Sequence, residues 1–289
     1  MQPSEVRSAV DAAVSLCTTV GLRADDATVI HNSNQIAVRL LPCDVLARVA
    51  PLGQKVGPFE LEVSQRLAEA GCPIGALDHR VEPRIYERDG FGVTFWTYYD
   101  GPTAENADPA EYAHALASLH ATMRTVNLAT PHYMDRVAGA QSLVDNPAYG
   151  REFTDEDREL LADTLRTVSH KVVRRGVAEQ LLHGEPHAGN VLQTKHGLLF
   201  IDLETCCRGP VEFDVAHAPE DVGTHYPDAD QELLADCRLL MLAMVTAWRF
   251  QPDDQLPDRR RRAAEWLRQL RAGTAGRGFH ANETAETRP

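Results

Sequence analysis

The sequence predicts an α+β protein of two lobes, a small strand-rich one followed by a larger, mainly helical one. Three observations carry this reading. Residues 1–100 are strand-rich, with alternation over 28–50 and a β-prone run at 93–99; helical spacing dominates most of residues 101–272; and a short polar hairpin around residue 190 is set between helices. A chain of 289 residues can bury a large core and suits one large domain or two lobes.

The elements follow in order. Met1 to Val20 reads as an amphipathic helix with Glu5, Arg7 and Asp11 on its polar face. Thr28-Val29-Ile30 and Ile36 to Leu41 read as strands joined by a polar turn, His31-Asn32-Ser33-Asn34. After the turn Pro42-Cys43-Asp44, Val45 to Val49 makes a third strand. Phe59 to Ala70 changes to helical spacing, with Leu61, Val63 and Leu67 apolar and Gly71 as its stop. Val93 to Tyr99 is strongly β-prone and ends at Asp100-Gly101-Pro102, the expected boundary between the lobes. Pro109 to Thr122 is helical. Thr154 caps a further helix whose first turn holds Asp155, Glu156 and Asp157, and whose apolar stripe is Leu160, Leu161, Leu165, Val168 and Val172. Helices are also expected over 230–250 and 258–272. Residues 273–289, rich in Gly, Thr, Ala and Glu, read as a disordered tail.

Composition narrows the class. The six cysteines are scattered without a CxxC pair, which suits a reduced interior. With no secretory signal at the N-terminus and no apolar run long enough to span a membrane, a cytoplasmic protein without a membrane partner is expected. A net charge of −13 argues against nucleic-acid binding, which needs Lys and Arg against phosphates. It fits a small cationic partner.

The chemistry concentrates in His183-Gly184-Glu185-Pro186-His187-Ala188-Gly189-Asn190 and Ile201-Asp202-Leu203-Glu204. Val191-Leu192 and Leu198 to Ile201 flank Gly197, so these segments read as a hairpin with polar groups at both ends. An acid, a carboxamide and a second acid at these intervals suit a magnesium nucleotide: one carboxylate for an acceptor hydroxyl, and oxygen ligands for the ion. Cys206-Cys207 with His183, His187 and His217 match no standard zinc spacing.

Three collinear segments resemble the aminoglycoside phosphotransferase family, within the protein-kinase-like superfamily. The family's His-Gly-Asp-x-x-x-x-Asn stands here as His183, Gly184, Glu185 and Asn190; its Ile-Asp-Trp-Glu as Ile201 to Glu204; its Gly-Pro-x-x-x-Asp-Leu-Ala as Gly209 to Ala216. The resemblance implies a protein-kinase-like fold and transfer of the γ-phosphoryl group of ATP or GTP to a hydroxyl of a small molecule. It implies that Asn190 and Asp202 hold Mg2+, that Glu185 takes the place of the catalytic aspartate, and that His183 and Asp214 support the catalytic segment. Arg48 falls at the place of the phosphate-binding lysine, Glu60 at that of its carboxylate partner, Asn34 in the phosphate-facing loop, and Thr97, Tyr98 and Tyr99 at the hinge that meets adenine. Relatives act on aminoglycosides, macrolides, choline, homoserine and fructosamines, so the acceptor is left open.

The chain departs from the family at three places. Glu185 adds a methylene to the aspartate, moving the carboxylate by roughly 1.5 Å. Arg48 replaces lysine with a planar, two-pronged cation, with Lys55 a second candidate for the phosphates. The 31–34 loop has no glycine. A catalytically impaired nucleotide- or metabolite-binding protein on the same fold is the alternative.

Overall fold

A computed structural model of the chain describes residues 1, 3–32, 35–53, 57–146, 154–251, 254 and 258–273. These form two units, one holding Met1–Gly101 and Leu199–Glu204, the other holding Pro102–Leu198 and the chain from Thr205 onward. The expectation of a disordered tail lies outside the described residues from 274 on, and so do the expectations for Asn34 and Lys55.

The first unit is a five-stranded antiparallel sheet with helices. In chain order it contains α1 (Pro3–Thr19), β1 (Ala24–Asn32), β2 (Ile36–Pro42), β3 (Val45–Pro51), α2 (Pro58–Glu69), β4 (Tyr86–Arg88) and β5 (Phe91–Thr97). The sheet order is β1-β2-β3-β5-β4. Period-two alternation decides the faces. Ile36, Val38 and Leu40 of β2, Val45, Ala47 and Val49 of β3, and Val93 and Phe95 of β5 are buried with Ala9, Ala12, Ala13, Leu16 and Cys17 of α1. Burying these side chains, at about 25 cal/mol per Å² of apolar surface, is the main favourable term in this unit. Glu5, Arg7 and Asp11 are exposed on the other face of α1. β1 is longer than the sequence suggests. His31 and Asn32, expected in a turn, still pair with Ala37 and Ile36, because shifts of register at Asp26 and His31 keep the strand on its partner.

The second unit is mainly helical: α3 (Pro109–Met123), α4 (Tyr133–Asp145), α5 (Asp155–Arg174), α6 (Val211–His217), α7 (Val222–His225), α8 (Gln231–Trp248) and α9 (Arg259–Arg271). Helix α8 is buried along most of its length and packs against α4, α5, α6 and α9. The cap at Thr154 is as the sequence has it, with Asp157 completing a capping box. Along α5 the fully buried stripe is Leu161, Leu165, Ser169 and Val172, while Leu160 and Val168 are only half-buried. Two short strands, β6 (Gln180–Leu182) and β9 (Cys207–Gly209), pair antiparallel, with Leu182 opposite Cys207. The expected hairpin is β7 (Val191–Thr194) with β8 (Gly197–Phe200), its turn tied by the Thr194 hydroxyl on the Gly197 carbonyl. Among the described residues no helix is long and apolar enough to cross a membrane.

Candidate active site

Alternation along β3 builds the first cluster. Ala47 and Val49 point into the core with α1, so Arg48 between them points to the opposite face. On α2, Pro58 stands in the first turn, where its fixed φ suits a helix start, and Glu60 lies on the buried face with Leu61, Val63, Ser64 and Leu67. The Leu199–Glu204 segment joins this unit by hydrogen bonds from the Phe200 N–H to the Pro73 carbonyl and from the Gly75 N–H to the Phe200 carbonyl. Gly75 is needed for that approach, because a Cβ there would meet Ile201 at 2.9 Å. Asp202 then adopts a left-handed backbone with φ +67.

The Arg48 guanidinium holds these pieces together. Its Nη1 donates to Glu60 Oε1, and its Nη2 donates to Asp202 Oδ1 at 2.9 Å. Glu60 Oε1 also accepts the Leu203 N–H at 3.2 Å. Burial works against the Arg48 charge, but Glu60, Asp202 and Glu204 outweigh it and push its pKa further up. A lysine ammonium could not span two carboxylates with the same planar fork. Carboxylate oxygens of Glu60, Asp202 and Glu204 lie within 4.8 Å of one another, a set of hard donors that fits Mg2+ or Ca2+. Glu204, to which the sequence reading gave no role, is exposed and also accepts from Gln35.

At the expected hinge, the Thr97 N–H donates to the Ala76 carbonyl at 2.9 Å, and the Ala76 N–H reaches the Tyr99 hydroxyl at 3.4 Å. Arg39 covers the Tyr98 ring at 3.9 Å from its centroid. All three hinge residues are half-buried.

The second unit holds the catalytic segment. Pairing of β6 with β9 brings Gly184 against Thr205, and at φ +93 a Cβ on Gly184 would lie 2.0 Å from the Thr205 carbonyl oxygen. Asp214, fully buried in α6, accepts the His183 N–H on Oδ2 and the Gly184 N–H on Oδ1, both at 2.8 Å. His120 Nε2 meets Asp214 Oδ2 at 2.9 Å, and His120 Nδ1 meets the Tyr226 hydroxyl at 2.7 Å. Burial alone would raise the Asp214 carboxyl; the His120 hydrogen bond and the nearby His183 and His217 hold it below the usual carboxylate range. The buried His183 accepts the Glu185 N–H on Nδ1, and the Tyr112 hydroxyl ties the next residue through the Pro186 carbonyl. His187 caps the single turn of 3-10 helix at 188–190 by accepting the Gly189 N–H, which gives it a local structural part. Asn190 Nδ2 donates to the Glu185 carbonyl at 3.1 Å. With its donor engaged there, Asn190 keeps its carbonyl oxygen as an acceptor.

Glu185 does not stand alone. Arg136 of α4 donates through Nη2 to Glu185 Oε1 and through Nη1 to the Gly184 carbonyl at 2.7 Å. Burial favours a neutral Glu185, yet Arg136, His217 and His187 keep its carboxyl below the ordinary value. The guanidinium lies over Trp248 at 5.1 Å and Phe213 at 6.0 Å, which fixes its plane. Sequence reasoning missed both α4 and Arg136. The stripe Tyr133, Val137, Ala140 and Val144 was a legible helical signal; the partnership across 49 residues was not. None of the six cysteines is in a disulfide, and burial pushes the Cys207 thiol up to about 12, which fits ordinary core.

The structure thus groups Arg48, Glu60 and Asp202 in one unit, and His183, Glu185, Asn190 and Asp214 in the other. No curated protein sequence matches the chain. Solved structures do share its fold. The amicoumacin kinase hAmiN, in complex with AMP-PNP, Ca2+ and Ami, is 11% identical with a TM-score of 0.72, covering 95% of this chain and 97% of that one. A choline/ethanolamine kinase family protein from Mesorhizobium loti is 14% identical with a TM-score of 0.66, covering 94% and 95%. The choline kinase LicA from Streptococcus pneumoniae is 13% identical with a TM-score of 0.67, covering 91% and 97%. In sequence, residues 31–239 match the phosphotransferase enzyme family, APH. That match spans most of the chain and all three of the motif segments: the chain belongs to the phosphotransferase enzyme family.

Proposed function

We propose that this protein transfers the γ-phosphoryl group of ATP or GTP to a hydroxyl of a small polar molecule, a class that includes cationic acceptors. The observation that carries the reading is the Glu60–Arg48–Asp202 ladder, which sets a half-buried cation beside a carboxylate able to ligate a metal. Membership of the phosphotransferase family, and fold likeness to kinases of amicoumacin and choline, support it.

In the proposed reaction the acceptor oxygen attacks the γ-phosphorus. An O–P bond forms there while the bond to the β,γ-bridging oxygen breaks, and its electron pair leaves on the nucleoside diphosphate. The hydroxyl proton passes to the Glu185 carboxylate. Arg48, braced by Glu60, steadies the phosphates, and the backbone of Thr97 to Tyr99 takes the adenine or guanine edge. Asp202, Asn190 and neighbouring carboxylates would hold Mg2+, which supplies charge neutralisation at the phosphates. Asp214 keeps the His183–Gly184 backbone in place so that Glu185 faces the acceptor. Exposed acidic side chains after the catalytic segment, Glu220, Asp221 and Asp228, suit a cationic acceptor, whereas Glu212 is buried and accepts the Asp230 N–H.

One observation favours a second reading, a nucleotide- or metabolite-binding protein without turnover: Glu185 is already ion-paired with Arg136. Nucleotide binding is common to both readings, so transfer decides between them. The chain is incubated with γ-labelled ATP or GTP and a panel of aminoglycosides, choline-like amino alcohols and other small alcohols. Label in an acceptor supports phosphotransfer. Label in none, with nucleotide still bound, supports the second reading.

A further inference from the structure

Arg136 has no counterpart among the motif residues, yet it pairs directly with the segment that carries the acceptor-side acid. Three features set it apart from an ordinary surface ion pair. Its side chain is 14% exposed, so its charge is largely taken out of water and must be compensated by partners of fixed geometry. It uses both prongs on consecutive residues, Nη1 on the Gly184 carbonyl and Nη2 on Glu185 Oε1, which ties the glutamate's side chain and its preceding peptide to one rigid plane. That plane is itself held over Trp248 and Phe213. Arg136 also stands in the opening turns of α4, whose first-turn acid is Asp135. A cation near a helix N-terminus gains nothing from the dipole, so its place there is not explained by helix stability.

The contact uses one carboxylate oxygen. Among the described residues, nothing donates to Glu185 Oε2, and that oxygen is not one of the buried, unpartnered atoms. The Glu185 side chain keeps 24% of its surface exposed. A glutamate has one more rotatable bond than an aspartate, and without an anchor its carboxylate would sweep several rotamers. Anchored by Oε1, it presents Oε2 alone.

We propose that Arg136 is a positioning residue: it clamps Glu185 by Oε1 and aims Oε2 at the acceptor hydroxyl, so that Glu185 and Arg136 together do what a shorter aspartate does unaided. The proposal rests on the phosphotransfer reading and goes beyond it. The glutamate is then not a damaged base but one half of a matched pair. Shortening it breaks the clamp, since the carboxylate withdraws by roughly 1.5 Å and leaves hydrogen-bond range of the guanidinium.

The test uses the full chain and the acceptor that the wild type phosphorylates. Steady-state kcat and KM are compared for wild type, Arg136→Gln, Arg136→Lys, Glu185→Asp and the double variant Arg136→Gln/Glu185→Asp, with thermal unfolding checked for each. Positioning is expected to lower kcat of Arg136→Gln about 10- to 100-fold with the nucleotide KM within about twofold, because a misplacement near 1 Å acts on the chemical step. Arg136→Lys is expected to recover part of that loss. Glu185→Asp is expected to lose kcat rather than gain it, and the double variant to be no worse than the poorer single one.

Wild-type kcat in Arg136→Gln, a higher kcat in Glu185→Asp, or losses that multiply in the double variant would each overturn the proposal while the phosphotransfer reading stands. Should Arg136→Gln fail to fold, Glu185→Asp decides alone, a loss supporting the clamp and a gain overturning it. A wild type that labels no acceptor overturns the phosphotransfer reading, and the proposal with it.

Discussion

Asp202 and His217 make opposite use of their surroundings. Asp202 is gripped through one oxygen by Arg48, in a left-handed backbone that costs about 1 kcal/mol for a non-glycine residue. Such a cost persists where the position of the carboxylate matters more than its comfort. Asp202→Ala is expected to weaken nucleotide binding about tenfold or more in Mg2+ and far less in EDTA, as titration calorimetry would register, because it removes a hard oxygen donor. Equal affinity in both media would remove Asp202 from the metal. His217 keeps no charge. Its Nδ1 donates to the Phe213 carbonyl, which leaves Nε2 an unprotonated acceptor that finds no partner among the described residues. Burial, with Arg136 adding to it, depresses its pKa to about 4. The folded state therefore binds fewer protons than the unfolded one between that value and the ordinary 6.5. Its contribution is fully present above about pH 6.5 and is lost as pH falls toward 4, roughly 3 kcal/mol in all. Urea unfolding at pH 7 and pH 4.5 should show that slope in the wild type and a shallower one in His217→Gln. Equal slopes would show that His217 is not the titrating group.

Elements explain what a residue list does not. Pairing of β6 with β9 leaves no room for a side chain at 184, and φ there is positive. Gly184→Ala is accordingly expected to destabilise the second unit by about 3 kcal/mol or more, read from its denaturant midpoint. A near-neutral effect would mean that the Thr205 backbone yields. Elements also show how far the sequence could be read. Strands β2, β3 and β5 and helices α1, α2, α3, α5, α8 and α9 were legible because each buries one face, and burial imposes a period. Arg48 and Glu60 could be placed for the same reason, each falling at a definite phase of its element. Three-residue strands such as β4, β6 and β9 are too short to show a period. Helix α4 had a stripe, but His132 is not a residue that commonly announces a helix, although its Nδ1 accepts the Met134 N–H. What stayed hidden were the long-range ion pairs. The motif spacing named Glu185 and Asp202 as positions. That Arg136 claims one and Arg48 the other depends on side chains brought together by the fold.

At the scale of the whole molecule, an acidic chain with a net charge of −13 devotes two of its arginines to carboxylates at the expected catalytic positions. A phosphotransferase site needs such local positive charge, because a triphosphate would otherwise meet only acids. The same negative balance would attract a cationic small molecule at long range. Fold likeness at 11% to 14% identity cannot supply the chemistry; membership of the phosphotransferase family narrows it to phosphoryl transfer, and the residues decide the rest. The most direct measurement is transfer itself, with γ-labelled ATP and GTP, Mg2+ and a panel of hydroxyl-bearing aminoglycosides and amino alcohols. A phosphotransferase is expected to place label on at least one acceptor, with the activity abolished by Asp202→Ala. Saturable nucleotide binding with label on none of them would contradict it.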